Sequence, residues 1–86
     1  MSEPAELRLR RLRYQSARRG MREMDLLLGR FAETGLAALG GAELATYEAL
    51  LAEPDPDLFA WITGQTPAPE RYRPLLARIR SVAGTD

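Results

Sequence analysis

The apolar positions along this chain recur at the three-and-four spacing of helices, and nowhere do they alternate as a strand requires. Met21, Met24, Leu27, Leu28 and Phe31 form one such stripe, which predicts a helix starting near Arg19 and weakening at Gly35. Gly40 and Gly41 stop any continuation. A third helix is expected over residues 42–52, with Leu44, Tyr47, Leu50 and Leu51 on its buried side. Ahead of these, a first helix is expected over residues 4–14, with Ser2 as N-cap, Pro4 in the first turn, and Ala5, Leu9 and Leu12 facing inward.

The clearest boundary is Glu53-Pro54-Asp55-Pro56-Asp57. Asp55 suits an N-cap. Pro56 suits the first helical position, where a backbone N–H has no partner in any case, and Asp57 suits the positive end of the helix dipole. The short fourth helix carries Leu58, Phe59, Trp61 and Ile62 and ends at Gly64. Leu58 and Ile62 are expected in the core, and Trp61 under the second helix. Thr66-Pro67-Ala68-Pro69-Glu70 opens a fifth helix through Tyr72, Leu75, Leu76, Ile79 and Val82. Arg78 and Arg80 fall in its last turns, favourable at a helix C-terminus, and Gly84 closes it. The expected fold is all-α: a compact bundle of five short helices, one domain over residues 1–86 with a core from about 5 to 82.

Composition narrows the chemistry. With no cysteine and no histidine, the chain lacks disulfides, the usual zinc ligands, the commonest general base and the thiol nucleophile. No carboxylates have the spacing of a calcium loop. These absences argue against an enzyme and against a metal site. The absence of an attachment serine in an Asp-Ser-Leu setting argues against a group carrier. No apolar run approaches the roughly 20 residues that cross a bilayer, so no membrane insertion is expected. The start lacks the apolar stretch of a signal peptide. Its arginines would suit an organelle transit peptide, but Glu3 and Glu6 interrupt them, and the expectation is a mature cytoplasmic protein.

A net charge of zero conceals strong segregation. Arg8, Arg10, Arg11, Arg13, Arg18, Arg19 and Arg22 occur with no acid among them. Residues 31–70 then contain no basic residue while carrying Glu33, Glu43, Glu48, Glu53, Asp55, Asp57 and Glu70. Arg71, Arg73, Arg78 and Arg80 return the sign to positive. The basic first helix leaves nucleic-acid binding open, as in a small antitoxin-like regulator, although Tyr14 is its one interleaved aromatic.

The stretch from Tyr14-Gln15-Ser16 through Arg18-Arg19-Gly20-Met21-Arg22-Glu23-Met24-Asp25 to Leu28 resembles the succinate dehydrogenase assembly factor 2 family, the flavinylation factors of bacteria and mitochondria. The family's Arg-Gly-x-x-Glu motif is met by Arg19, Gly20 and Glu23. The likeness continues through Phe31, Glu43-Leu44, Tyr47 and Leu50-Leu51 into Asp55-Pro56-Asp57-Leu58-Phe59-Ala60-Trp61, covering residues 7–64, with the fifth helix agreeing in character. The two blocks at the right separation are far more specific than the motif alone.

This resemblance implies a protein that binds the flavoprotein subunit of succinate dehydrogenase, and often of fumarate reductase, in a transient one-to-one complex. There it promotes covalent attachment of FAD to a histidine of that subunit, acting as a chaperone for one reactive arrangement. The residues agree with that division of labour. The chain has no glycine-rich loop between strand and helix to cradle a dinucleotide, so FAD is expected to belong to the partner and not to bind this chain alone.

The partner-binding residues implied are Arg18, Arg19, Gly20, Met21, Arg22, Glu23 and Asp25. Arg19 and Glu23 are expected one helical turn apart on a solvent-accessible face, so that exchanging their charges changes stability by less than about 1 kcal/mol. Met21 and Met24 are expected to serve the core first. Gly20 either marks the start of the second helix or permits close approach of another backbone. Gly20→Arg is then expected to favour the isolated helix.

Overall fold

The stripe that marks the second helix is the centre of the molecule. In the computed structural model, which describes residues 3–83, α2 (Arg22–Thr34) buries Met24, Leu28, Phe31 and Ala32. It lies between α1 (Ala5–Ala17) and α5 (Arg73–Ala83). α3 (Gly41–Leu51) packs against α1, and α4 (Asp55–Ile62) packs against α5. Two 3-10 turns, Leu36–Ala38 and Glu70–Tyr72, complete the chain, and among the described residues there is no strand. One contiguous core joins Leu12, Leu28, Phe31, Tyr47, Leu58 and Ile79 across all five helices. The bundle of five helices is therefore as expected, and its departures are at the ends of the elements.

α1 continues to Ala17, one turn past its expected end, because Ser16 is buried and hydrogen-bonded. Pro4 holds the N-cap position of α1, and Ala5 is exposed, not inward. The proposed N-cap Ser2 and terminator Gly84 lie outside the described residues. α2 begins at Arg22 and not near Arg19, since Gly20 adopts a left-handed φ of +94° that breaks the helical path. Pro54, not Asp55, is the N-cap of α4, which moves Asp55 into the first helical turn and Pro56 one place further in. The expected fifth helix opens as the 3-10 turn Glu70–Tyr72 and becomes α-helical at Arg73. Trp61 is half-buried, its ring 5.8 Å from that of Tyr72.

A buried polar pair fixes α1 to α3. Ser16 donates its hydroxyl to the Leu12 carbonyl at 2.6 Å. Its one proton is thereby committed, so the Tyr47 hydroxyl, 2.6 Å away, donates to Ser16 Oγ. Tyr47 is fully buried, its ring 5.5 Å from that of Phe31. Burial pushes the Tyr47 hydroxyl up to about 12. Small residues set the neighbouring distances. A Cβ on Gly29 would meet Ala17 Cβ at 3.4 Å, where α2 approaches α1, and one on Gly35 would lie 2.7 Å from Phe31 Cε1.

α5 closes the bundle through its arginines. Arg80 lies in the last turn of α5, as expected, and its Nη1 also donates to the carbonyls of Trp61 and Ile62 at 3.0 and 3.4 Å, capping the C-terminus of α4. Arg78 Nη1 reaches Glu43 at 2.6 Å. The same Glu43 carboxylate accepts the Gly40 N–H at 3.3 Å at the start of α3.

Three outcomes test this packing. Ser16→Ala and Tyr47→Phe should each lower stability by about 1–3 kcal/mol, because each leaves a buried group short of a partner. The double substitution should be less damaging than their sum, as a double-mutant cycle in urea would show. Stability should fall as pH rises from about 10 to about 12, since Tyr47 holds its proton more tightly folded (about 12) than unfolded (10.0); Tyr47→Phe should shrink that alkaline loss. Gly35→Ala should cost about 1–3 kcal/mol, because the buried Phe31 ring, packed beside Tyr47, must shift to admit the methyl group.

Candidate functional site

The arginine-glycine segment lies in the turn between α1 and α2, and Arg19 is its fixed point. The Arg19 backbone N–H donates to Asp25 Oδ1 at 2.6 Å, so the first turn of α2 holds the turn that precedes it. The Arg19 side chain runs the other way. Its Nε and Nη2 both donate to Asp55 Oδ1, at 3.0 and 2.6 Å, and Nη2 also reaches the Glu53 carbonyl at 3.5 Å. Its side chain is only 14% exposed.

The structure thus corrects the expectation that Arg19 and Glu23 form an exposed pair on one helix. Arg19 precedes the helix, is mostly buried, and pairs with Asp55 at the start of α4. Glu23 is exposed in the first turn of α2, where its charge suits the helix dipole, and among the described residues it has no ion-pair partner. Arg22, beside it, is likewise exposed and unpaired among the described residues. Arg18 is exposed, its guanidinium 5.3 Å above the Tyr14 ring. Met21 is half-buried against the core, as Met24 is wholly buried within it. Asp25 is half-buried and engaged by Arg19.

Gly20 is decided by its backbone, not by close packing. A Cβ there would meet nothing within 4 Å, but φ is +94°. The turn therefore needs glycine for its conformation, and Gly20→Arg would strain it, contrary to the expected gain in helix stability. Among the seven residues of the candidate site, Arg18, Gly20, Arg22 and Glu23 face solvent. Arg19 and Asp25 hold the turn in place.

Further carboxylates extend this arrangement. Glu48 of α3 receives Arg8 Nε at 2.6 Å and Arg11 Nη2 at 2.9 Å. The hydrogen bond from Arg11, reinforced by Arg8, holds the Glu48 carboxyl below its ordinary range against its partial desolvation. Glu53 accepts the Tyr72 hydroxyl at 2.7 Å and Arg71 at 3.2 Å. Beside the turn, between α1 and the end of α3, lies an open groove of about 530 Å³ lined by Tyr14, Gln15, Arg18 and Leu51 among others. Sequence reasoning assigned Asp55 to a cap and missed it as the partner of Arg19. The available signal was the charge segregation: the acid-free run from Arg8 to Arg22 must find most of its carboxylates in the base-free middle. Among the described residues no cluster of side chains has the makings of a metal site, and no helix is long and apolar enough to cross a membrane.

Comparison with known proteins gives this arrangement its class. Residues 10–83 match the family described as "flavinator of succinate dehydrogenase", so the match extends beyond the stretch noted above and takes in α5. A protein of Dictyostelium discoideum is 46% identical over 72 residues, covering 84% of this chain and 50% of its own length. One of Mycosarcoma maydis is 46% identical over 71 residues, covering 83% and 30%. One of Yarrowia lipolytica is 42% identical over 86 residues, covering 94% and 59%. Each is named succinate dehydrogenase assembly factor 2, mitochondrial. The chain belongs to this family of succinate dehydrogenase assembly factors. It spans about half the length of the curated relatives it matches, and less of the Mycosarcoma maydis protein. The expected cytoplasmic placement is overturned by the same relatives, which are named as mitochondrial. That placement rested on missing targeting signals, and an absence does not locate a protein.

The turn makes two stability predictions that differ only in backbone conformation. Gly20→Ala should destabilise by about 1–2 kcal/mol, whereas Gly41→Ala, equally uncrowded but at the first position of α3, should stabilise by about 0.4–1 kcal/mol. The exchange Arg19→Glu with Glu23→Arg should lower stability by roughly 2–4 kcal/mol, because a carboxylate at position 19 faces Asp55 without a cation. Thermal melting distinguishes these signs directly.

Proposed function

We propose that this chain binds the flavoprotein subunit of succinate dehydrogenase and promotes covalent attachment of FAD to it, contributing no catalytic group and binding no FAD by itself. Family membership supports the process. The observation that carries the reading at residue level is the exposed edge of the arginine-glycine turn. There Arg22 and Glu23 stand at the start of α2 with no ion-pair partner among the described residues, on a turn made rigid by Arg19. Charges left unpaired on a fixed backbone are suited to recognition, since the backbone needs no ordering on binding.

The proposed mechanism is differential binding. The factor favours the arrangement of the subunit in which flavin and acceptor histidine meet. If that arrangement is populated about once in a hundred, a 100-fold preference for it, about 2.7 kcal/mol, brings it to parity. The complex is transient and one-to-one, and it is released when the subunit joins its partners in the enzyme.

Two measurements test the reading. Co-expression of the subunit with Glu23→Arg or Arg22→Glu should leave covalent flavin fluorescence on a denaturing gel near the level seen without the factor. Arg22→Glu should leave stability within about 0.5 kcal/mol, and Glu23→Arg should lower it by no more than about 1–2 kcal/mol through loss and reversal of the charge that suits the start of α2. Flavinylation at the wild-type level would show that this edge is not the contact. Calorimetry of the factor with free FAD should give no binding at micromolar concentration, and a sub-micromolar one-to-one isotherm would replace this mechanism by flavin delivery.

A further inference from the structure

The arginines of α1 fall into two sets. Arg8 and Arg11 are committed internally, both to Glu48 and Arg11 also to Glu3. Arg10 and Arg13 are exposed and have no carboxylate in ion-pair range among the described residues, and Arg18 has only the face of Tyr14. Between these cations stand two apolar side chains left in water, Leu7 at 49% and Tyr14 at 65% exposure. Leu7, Arg10 and Tyr14 succeed one another at three and four residues, so they form one line along α1, opposite the buried Leu12 and Ser16. A single exposed leucine or tyrosine is ordinary. Two of them interleaved with three guanidiniums that have no ion-pair partner among the described residues match the composition of an interface, where tyrosine and arginine are the usual anchors.

Charge complementarity requires an acidic occupant, and the structure narrows its source. A second copy of this chain offers little, because Glu43, Glu48, Glu53 and Asp55 are each held by an arginine of their own molecule, and the exposed acids Glu6, Glu23, Glu33, Asp57 and Glu70 are divided among α1, the two ends of α2, α4 and the 3-10 turn at Glu70. Nucleic acid fits poorly: phosphates gain nothing from Leu7 and Tyr14, and the adjoining groove presents Glu48 and Asp55. We propose that the outer face of α1, formed by Leu7, Arg10, Arg13, Tyr14 and Arg18, is a second interaction surface. It takes an acidic segment of the protein partner, with an apolar side chain seated on Leu7 and Tyr14 and carboxylates on Arg10 and Arg13.

The inference rests on the functional reading above for the partner's identity, the flavoprotein subunit. Arg18 makes the face continuous with the arginine-glycine turn, so one partner can span both. The two surfaces have different duties. Exposed cations accelerate encounter and weaken with salt, whereas the turn reads the docked arrangement.

The test measures association of the isolated flavoprotein subunit with wild type, with Arg10→Glu plus Arg13→Glu, and with Tyr14→Ala, at about 50 and about 300 mM salt. The double reversal should slow association about tenfold at low salt and much less at high salt. Tyr14→Ala should speed dissociation about tenfold. Both variants should melt within about 5 °C of wild type, since neither removes an internal ion pair. Saturating concentrations should restore flavinylation to both, which they do not for Glu23→Arg. Wild-type rates in both variants at low salt, with wild type itself binding, overturn this inference alone. So does tighter binding of a DNA duplex of about 20 base pairs than of the subunit, or an Arg10-dependent self-association seen by light scattering. Failure of wild type to bind the subunit overturns the functional reading and this inference together.

Discussion

One guanidinium links the parts of this bundle that regular hydrogen bonding leaves loose. Arg19 sits where α1 has ended and α2 has not begun. Its backbone N–H is held by Asp25, while its side chain holds Asp55 and reaches the Glu53 carbonyl in the α3–α4 connection. Two connections distant in sequence are thereby positioned by one residue. Solvent-exposed ion pairs contribute little, but this one is largely withdrawn from water and carries hydrogen bonds on both its backbone and its fork. The left-handed Gly20 and the free edge of α2 both depend on it.

The same logic organises the other charges. Because acids and bases occupy separate stretches of the chain, their pairs join distant segments: Arg8 and Arg11 to Glu48, Arg19 to Asp55, Arg71 to Glu53, Arg78 to Glu43. Apart from Arg11 with Glu3, the ion pairs among the described residues are tertiary contacts and not helix-surface pairs. A chain of this length has a small core, and such pairs specify which helix meets which more than they add stability.

This explains what could and could not be read from sequence. Periodicity located α2 and α3 and the core residues Met24, Leu28, Phe31, Tyr47 and Leu50, because burial imposes the three-and-four spacing directly. Proline and glycine punctuation located α4 and α5 to within a few residues. Gly20 was legible as one of two alternatives, and the structure favours the one in which it marks the start of the second helix; its left-handed conformation was not legible, because nothing in the Arg18–Met24 pattern shows that Asp25 captures the Arg19 N–H. Ser16 was also missed. A serine on an apolar face gives no periodic signal, and its partner Tyr47 comes thirty-one residues later. The motif was found as a unit, but its residues act in two ways. Arg19 shapes the turn, while Arg22 and Glu23 stand free beside it, and only three-dimensional pairing separates them.

The contribution of α5 has a consequence for synthesis. Tyr72, Leu75, Leu76 and Ile79 fill the core from the end of the described chain, and Arg78 and Arg80 tie that end back to α3 and to the last carbonyls of α4. α5 leaves the ribosome after α1 to α4. Until it emerges, α2 lacks its covering on one side and α4 lacks the cation at its C-terminus, so the growing chain holds that apolar surface open. Closure of the bundle is thus coupled to synthesis of α5, and a product stalled before it presents an incomplete bundle to the cell's quality control.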